Sequence, residues 1–221
     1  MKKIFLLFIP VLLLFACKKE NGSPRVETTT SGSKWDIKIG SSYADVYAQV
    51  QKSGQQNKFT EVDIINQKQV FNKPEEIQQK FKFYSMIMLQ KNTAELGGTS
   101  IIYDGSKITS ITATGAALIT KWPRDATDET AFHENDAVDD IYNKLLAIYK
   151  LPDYANYQII LAYKSLSKPF DPDMANYNEW AFYITQYPKP GISGQYYVRL
   201  LFKNGKLSMI RSEYKESEVY N

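Results

Sequence analysis

The sequence predicts an α+β protein in which helices pack on one face of an antiparallel sheet. Two segments carry apolar residues at helical spacing, and several others alternate apolar with polar residues and are rich in aromatic and β-branched side chains. Each half of the chain also ends in a short hairpin signal, which joins antiparallel neighbours. A sheet whose strands alternate in this way buries one face, and helices supply the cover for it.

The first sixteen residues are typical of an export signal. Two lysines within Met1–Lys3 precede an apolar run from Ile4 to Phe15, and this run is too short to cross a bilayer as a helix. We therefore expect residues 1–16 to be a signal peptide. Loss of its two lysines leaves 25 basic against 24 acidic residues, so the mature chain lacks the basic excess that nucleic-acid binding needs.

The lone cysteine of the chain, Cys17, follows the triplet Leu14-Phe15-Ala16. This pattern resembles the lipobox of bacterial lipoproteins, a family in which the cysteine receives diacylglycerol and, after cleavage just before it, an acyl chain on its new amine. The resemblance implies that Cys17 is lipidated and that the membrane is a partner through this lipid, since two or three chains anchor firmly where one does not. The alternative is an ordinary signal peptide with a chance cysteine.

The residues after Cys17 bear on location and on the start of the fold. Lys18 stands where an aspartate retains some Gram-negative lipoproteins at the inner membrane, so the resemblance implies the outer membrane of the cell envelope, at either its periplasmic face or the cell surface. Residues 17–33 lack apolar periodicity and are rich in Ser, Thr and Gly, which predicts a flexible tether. We expect the fold to begin near Lys34 and Trp35 and to depend on burial, because no cysteine is left for a disulfide.

An internal repeat divides the rest of the chain. The segment "YADVYAQV" at 43–50 resembles "VDDIYNKL" at 138–145, and two further segment pairs follow at the same offset of 95 residues. The closing hairpins align at an offset of 99, with the extra residues in a connection rich in Pro and Gly, where insertions are tolerated. We therefore predict two tandem α+β repeats, residues 34–120 and 121–221. Chance similarity is the alternative.

Each repeat is expected to begin with an amphipathic helix packed on the sheet of its own repeat. In the first, Ser41 or Ser42 serves as the N-cap and Gly54 offers a stop. In the second, Asn135 or Asp136 serves as the cap. The apolar stripes are Val46, Tyr47 and Val50 in the first helix, and Val138, Ile141, Tyr142, Leu145, Ile148 and Tyr149 in the second.

Strands are expected after each helix. They are predicted near Phe59–Phe71, Phe81–Gln90, Tyr157–Leu166 and Asn178–Tyr187, with a helical turn at Pro74–Gln79. Each repeat then closes with a hairpin.

The hairpin turns are predicted at Gly105-Ser106 and Asn204-Gly205, with Tyr103 opposite Ile108 in the first. In the second, pairing of Lys203 with Lys206 would place Ile210 on the polar face. The residues expected on the buried face of this second hairpin are Val198, Leu200, Phe202, Leu207 and Met209.

The stretch "IKIGSSYADVYAQV" at 37–50 resembles the helix start of BamE-like and beta-lactamase-inhibitor-protein-like domains, with Gly40, a serine cap, Asp45 and Val46. Domains of this kind place helices before an antiparallel sheet, often in lipoproteins and sometimes in tandem. The resemblance implies that fold and binding through the sheet surface, and it carries no catalytic residues over. The second repeat departs from the pattern, with Asn135 in place of the glycine, and the later Gly-x-Pro of BamE is missing.

Two acidic segments are candidate sites for a metal or for catalysis. The only histidine, His133, lies in the acid-rich segment 124–140, and Asp171–Glu179 has acids and amides at alternating positions. Neither has calcium-loop spacing, so we expect an acidic approach to the second helix, including Asp136–Asp140, and a turn-rich connection rather than metal sites. A weak cation site at either segment stays open. We expect no cofactor.

Aromatic residues near the C-terminus form a candidate binding surface. On alternating strands, Tyr183 and Tyr187 are expected on one face of the sheet, and we group them with Tyr196 and Tyr197 as a surface for a protein partner. Packing of these rings at the edge of the core is the alternative.

The sequence favours a lipid-anchored, non-enzymatic binding protein of the cell envelope, whose partner is another envelope or extracellular protein. An inhibitor of a foreign enzyme and an assembly subunit both fit this class. The alternative from another class is an envelope hydrolase or glycan-processing enzyme that uses the acidic segment around His133, although no Gly-x-Ser-x-Gly elbow is present. A small-molecule or glycan pocket between the repeats would be lined by Trp122 or Trp180.

Overall fold

The structure, a computed structural model, describes residues 24–91, 98–161 and 164–219, and within them it is rich in sheet with few helices. The predicted α+β class is confirmed. The helices are α1 (Tyr43–Asn57) and α2 (Ile141–Ile148). The strands are β1 (Arg25–Thr29), β2 (Ser33–Lys34), β3 (Ile37–Lys38), β4 (Glu61–Ile64), β5 (Val70–Phe71), β6 (Met86–Lys91), β7 (Gly98–Asp104), β8 (Lys107–Ala113), β9 (Ala117–Ile119), β10 (Lys121–Trp122), β11 (Phe132–His133), β12 (Tyr157–Ile160), β13 (Lys164–Ser165), β14 (Glu179–Lys189), β15 (Ile192–Lys203) and β16 (Lys206–Glu218). Short 3-10 turns lie at Pro74–Ile77, Phe81–Phe83, Thr114–Ala116, Val138–Asp140 and Pro172–Asn176.

Two six-stranded antiparallel sheets form the framework. The C-terminal sheet has the order β1-β16-β15-β14-β4-β13, and the N-terminal sheet has the order β5-β12-β6-β7-β8-β9. Each sheet has a strand from across the proposed boundary in its interior: β4 lies between β14 and β13, and β12 lies between β6 and β5. The two sheets are therefore joined through the segments 61–71 and 157–165, which run antiparallel to each other.

Each helix packs on strands from the other half of the chain. Val46, Tyr47 and Val50 of α1 are buried in one core cluster with β14, β15 and β16, whereas α2 is buried in a second cluster with β6, β7 and β8. The expectation that each helix covers the sheet of its own repeat is wrong. The reason is that the strand directly after each helix, β4 or β12, pairs into the opposite sheet, and the short connection keeps the helix beside it.

The residues just before each helix form the same pair of backbone hydrogen bonds with the hairpin of the other half. The Gly40 amide donates to the Leu207 carbonyl at 2.8 Å, and the Asn135 amide donates to the Ile108 carbonyl at 2.9 Å. The return bonds run from the Leu207 amide to Ser41 and from the Ile108 amide to Asp136, both residues accepting through their carbonyls. The pairs on the helix side are 95 residues apart, and those on the hairpin side are 99 apart.

The two closing hairpins share an irregularity as well as a turn. In β7 and β8 the register shifts between Ile102 and Tyr103, and in β15 and β16 it shifts between Leu201 and Phe202. Both shifts are β-bulges at the same place relative to the turn. Next to them, hydroxyls at matched positions donate to matched carbonyls: Thr109 to Ile102 at 3.2 Å, and Ser208 to Leu201 at 2.9 Å.

The hairpin turns are confirmed, but the bulge changes which residues face the core. Asn204 and Gly205 both have positive φ, as a two-residue turn of this type requires, and Lys203 pairs with Lys206. Because the bulge adds one residue to β16, Met209 lies opposite Leu201 on the outer face, and Ile210 is fully buried instead. The predicted faces of these two residues were wrong for that reason.

Helix α1 begins as predicted and ends later than predicted. The Ser42 hydroxyl accepts from the Asp45 amide at 3.3 Å and donates to the Asp45 carboxylate at 2.6 Å. Gly54 does not end the helix, which continues to Asn57 and is followed by Lys58 in the left-handed region. Glycine is needed at 54 for space, since a Cβ there would lie 2.7 Å from both Leu166 Cδ1 and the Phe59 carbonyl oxygen.

Helix α2 begins later than predicted. A 3-10 turn at Val138–Asp140 precedes it, and its N-cap is Asp140, whose side chain makes no capping bond. Neither Asn135 nor Asp136 caps it. Asp136 instead accepts from the His133 amide at 2.7 Å, so that it stabilises the loop before the helix.

The strands match the prediction in place and differ in continuity. The run predicted near Phe59–Phe71 is interrupted between β4 and β5, and the segment Phe81–Phe83 is a 3-10 turn before β6. The helical turn at Pro74 is confirmed as a 3-10 turn.

The C-terminal part of the predicted tether belongs to the fold. Residues 25–29 form β1, which pairs with β16 from Arg25 opposite Tyr214 to Thr29 opposite Ile210. The edge of β16 thus gains a partner strand, and the ordered part begins earlier than Lys34. The signal peptide and Cys17 lie outside the described residues, and no helix in the described ranges has the length and apolar character needed to span a membrane.

Candidate functional site

The outer face of the C-terminal sheet, opposite α1, carries Tyr183 and Tyr197, and Tyr187 lies beyond them in the same strand, at the register shift between Gln186 and Lys189. Tyr183 lies directly opposite Tyr197 on neighbouring strands, and their ring centroids are 4.9 Å apart. Tyr187 follows on the same strand. Tyr183 is 54% exposed and Tyr187 is 76% exposed, which makes them the most exposed aromatic side chains in the described part of the chain. Rings that are both flat and amphipathic suit a protein contact.

Tyr196 does not belong to this surface. It pairs with the buried Ile184, so that its side chain lies on the inner face of the sheet. There it contacts Tyr214 and Trp35, with ring centroids 4.5 and 5.4 Å away. The grouping of Tyr196 with the other three was wrong because neighbouring residues of a strand point to opposite faces.

Ion pairs flank the tyrosines on this outer face. Arg199 donates to the Glu179 carboxylate at 2.5 Å, and an Arg211 nitrogen lies 3.0 Å from the Glu213 carboxylate. At the edge strand, Val26 is 51% exposed beside Glu213. The face is therefore an apolar and aromatic patch bordered by fixed charges of both signs. We call it the tyrosine face: Val26, Glu179, Tyr183, Tyr187, Tyr197, Arg199, Arg211 and Glu213.

Both candidate tryptophans are core residues. Trp180 is fully buried under α1, between Tyr47 and Phe202, and Trp122 is nearly buried with its ring 5.3 Å from that of Tyr154. The alternative of a ligand pocket lined by either tryptophan gains no support from these positions, because both rings pack within core clusters. A wide surface groove of about 990 Å³ lies elsewhere, beside α2, and its walls carry charges of both signs, including Lys73, Glu75, Lys91, Lys150 and Asp153.

His133 lies near two carboxylates without a hydrogen bond to either through its ring. Its Nε2 is 3.6 Å from Asp128, and its Nδ1 is 3.9 Å from Asp136. Both carboxylates are held by lysines: Lys121 is 2.7 Å from Asp128, and Lys144 is 2.5 Å from Asp136. A general base must be within hydrogen-bond reach of its partners, and this geometry does not supply such a set.

The segment Asp171–Glu179 forms a turn rather than a loop around a cation. Asp171 accepts from the Asp173 amide at 3.0 Å and so begins the 3-10 turn at Pro172–Asn176. The Lys80 ammonium lies between the carboxylates of Asp171 and Asp173. Among the described residues, no group of three or more potential ligands is arranged for a metal ion.

A buried polar cluster lies between the two halves and was not predicted. It surrounds Lys164, which is 1% exposed and donates to the Phe83 carbonyl at 2.6 Å. The Lys164 ammonium also lies 5.0 Å from the centre of the Tyr47 ring and 5.9 Å from that of Tyr84. The members of this cluster are Tyr47, Tyr84, Tyr103, Lys164, Lys168 and Asp171, all less than one-tenth exposed.

Burial sets the protonation of this cluster. Burial lowers the pKa of Lys164 to about 7; Asp171 opposes this shift and Lys168 adds to it. Burial also raises the pKa values of Tyr47, Tyr84 and Tyr103 well above the ordinary range, so these rings stay neutral. The sequence offered no signal for the cluster, because lysines in "AYKSLSKP" are ordinarily solvent-exposed.

Comparison of the chain with protein-family models, with curated proteins and with solved structures finds no match in any of the three.

Proposed function

We propose that this chain is a lipid-anchored binding protein of the cell envelope that engages a protein partner through its tyrosine face. The observation that carries the proposal is the exposure of Tyr183 and Tyr187 on a sheet face opposite the helix. An exposed aromatic patch of this kind on a soluble domain is typical of an interaction site. The flanking pairs Arg199–Glu179 and Arg211–Glu213 would set the orientation of the partner through charge.

We further propose that the fold consists of two repeats of the BamE-like or inhibitor-protein-like kind, intertwined rather than side by side. The matched amide bonds of Gly40 and Asn135, and the matched bulges before Tyr103 and Phe202, support this. Duplication accounts for a bulge, its hydroxyl bond and a helix approach that recur at two fixed offsets.

The anchor belongs to the same proposal. Cys17 would carry the lipid, and the residues before β1 would connect the membrane to the domain. Metabolic labelling with a fatty-acid analogue should label the wild-type chain and not Cys17→Ser. Labelling of both chains, or of neither, would contradict the proposed lipidation of Cys17.

Site-specific photo-crosslinking in intact cells tests the binding face. A photoreactive phenylalanine at Tyr187 should produce an adduct with one protein of the envelope. The same group at Gln56, an exposed position of α1 on the helix side, serves as the matched control and should produce none. Equal adducts from both positions, or no adduct at Tyr187, would contradict the proposal. Turnover of an envelope substrate by the purified chain would favour the hydrolase class instead.

A further inference from the structure

Strand β14 begins inside the C-terminal sheet and continues as an edge of it. β4 pairs with β14 only at Trp180 and Ala181, although β14 extends to Lys189. From Phe182 onward, none of the described strands lies beside β14 on the side away from β15. We call residues 182–187 of β14 the open edge.

The open edge presents backbone hydrogen-bonding groups to solvent. The Ile65 amide donates to the Glu179 carbonyl at 3.0 Å, so the backbone groups of Glu179 point toward β4. These directions alternate along an antiparallel strand, and the backbone groups of Ala181, Tyr183 and Thr185 therefore point the same way. Ala181 is paired with β4, whereas Tyr183 and Thr185 have no strand to bond on this side within the described ranges. Both are exposed, so a partner can reach their N–H and C=O groups.

In the N-terminal sheet, a strand of the chain itself lies at the corresponding place. β12 pairs with β6 at each of the residues 88–91. Leu89 of β6 lies opposite Thr99, and Phe182 of β14 lies opposite Val198, the hairpin residue that matches Thr99 at the offset of 99. Counted from these two positions, β12 covers the part of β6 that corresponds to the start of the open edge. A sheet of this design therefore accepts an extended strand at this place.

The open edge lacks the features that usually protect an exposed strand. Edge strands are commonly shielded by charged residues, proline or a β-bulge. Residues 182–187 include neither a charged residue nor a proline, and such features begin only at Pro188 and at the register shift before Lys189. The unprotected stretch of six residues has the length of a typical strand.

We propose that an extended segment of the protein partner binds the open edge as an added strand, an inference that rests on the function proposed above. Backbone hydrogen bonds to Tyr183 and Thr185 hold the segment, as in other cases of strand addition to a sheet edge. Its outward side chains lie beside the Tyr183 ring. Neighbouring side chains on paired strands interact, so aromatic or β-branched residues at alternate positions of the segment fit this place best.

The size of the open edge favours such a segment over a second copy of this chain. Six residues at about 3.3 Å each give an edge about 20 Å long, which covers roughly 200 Å² at a sheet thickness of about 10 Å. Two copies joined edge to edge would bury on the order of 400 Å², well below the roughly 1,000 Å² of a stable interface. A flexible segment buries more, because it also contacts the tyrosine face.

Proline at Thr185 tests the added strand. Thr185→Pro removes an amide that no described strand uses, and proline is tolerated where the N–H of an edge strand faces solvent. With the photoreactive group at Tyr187 of the full chain in intact cells, we expect the yield of the envelope-protein adduct to fall at least tenfold. The conservative variant Thr185→Val keeps the amide and should restore the adduct. Unchanged tryptophan emission, which reports the buried Trp180, shows that each variant is folded.

Amide hydrogen exchange gives a second measurement, which needs no proline and decides the matter if Thr185→Pro alters the emission. The adduct formed through Tyr187 is purified in detergent and compared with the free full chain. Peptides that cover residues 182–187 should contain amides that exchange at least tenfold more slowly in the adduct. Strand β9 (Ala117–Ile119), at an edge of the other sheet, is the control and should exchange equally in both.

Each failure points to a different part of the proposal. An undiminished adduct in folded Thr185→Pro, or unchanged exchange at residues 182–187, would overturn the added strand and leave the tyrosine face as the binding site. An adduct of twice the chain mass would make a second copy the occupant and would also overturn it. Absence of any adduct at Tyr187 in the otherwise wild-type chain would overturn the proposed function, and the added strand with it.

Discussion

At the scale of single residues, Lys164 shows how the contact between the halves depends on an unusual group. Its ammonium is buried against two tyrosine rings and bonded to the Phe83 carbonyl. Asp171 lies in the same cluster, yet its Oδ2 has no hydrogen-bond partner among the described residues. Burial outweighs the attraction of Asp171 and lowers the pKa of Lys164 to about 7.

The lowered pKa of Lys164 predicts how stability depends on pH. Between about pH 7 and the ordinary lysine pKa near 10.5, the unfolded chain holds a proton at this site that the folded chain does not. The free energy of unfolding therefore rises with pH from about pH 7, by about 1 kcal/mol per pH unit from this group. The rise ends near pH 9, because the tyrosines of the unfolded chain then begin to ionise while the buried Tyr47, Tyr84 and Tyr103 of the folded chain stay neutral, and this difference lowers stability as the pH rises further.

Chemical denaturation at pH 7, 8 and 9 checks this expectation. Lys164→Met should remove most of the rise in unfolding free energy, whereas Lys203→Met, at an exposed position, should keep it. Parallel pH profiles for wild type and Lys164→Met would mean that the buried ammonium is not titrating in this range.

At the scale of elements, the side chain of Tyr47 does more to fix α1 to the opposite half of the chain than the N-cap of the helix does. The Tyr47 hydroxyl lies 2.9 Å from the carbonyl oxygens of both Ser165 and Lys168. Gln51, one turn later, donates to the Leu166 carbonyl at 2.8 Å. These bonds hold the chain after β13 in place, and the loop 166–170 has no strand partner of its own in the described structure.

Tyr47→Phe should therefore lower the free energy of unfolding by about 1 kcal/mol, the usual net value of such a bond. Tyr142 occupies the matched position in α2 and makes no side-chain hydrogen bond among the described residues, so Tyr142→Phe is the control and should change stability by less than about 0.5 kcal/mol. Urea denaturation of both variants measures the difference. Equal losses would mean that the Tyr47 hydroxyl contributes nothing specific.

At the scale of the whole molecule, the exchange of strands and helices between halves makes the chain one cooperative unit. Each core cluster combines a helix from one half with the hairpin strands of the other. A cut between the halves would separate α1 from the C-terminal sheet that buries Val46, Tyr47 and Val50. It would likewise separate α2 from the N-terminal sheet that buries its apolar side chains.

Fragments 24–120 and 121–221 should thus each fail to unfold cooperatively when produced alone, because neither contains a complete core. Produced together, they should assemble into a complex whose far-UV circular dichroism matches that of the intact chain. Differential scanning calorimetry of each fragment and of the mixture is the measurement. A sharp transition from either fragment alone would contradict the intertwined arrangement.

Short sequence windows were enough to predict the local features. Ser42 and Asp45 formed the predicted cap because a capping bond spans three residues, and Asn204-Gly205 formed its turn because only such residues accept two positive φ angles. The strand positions followed from alternation within short windows.

The features that depend on which strand pairs with which, such as the face on which a side chain lies, could be read only from the folded chain. Tyr196 lies on the inner face because of its strand register, and Met209 lies on the outer face because of the β-bulge. Neither the register nor the bulge can be predicted from residue composition. The burial of Lys164 arises where its segment meets Phe83, more than 60 residues away in the chain. Pairing between such distant segments depends on how whole surfaces pack together, so no local sequence pattern predicts it.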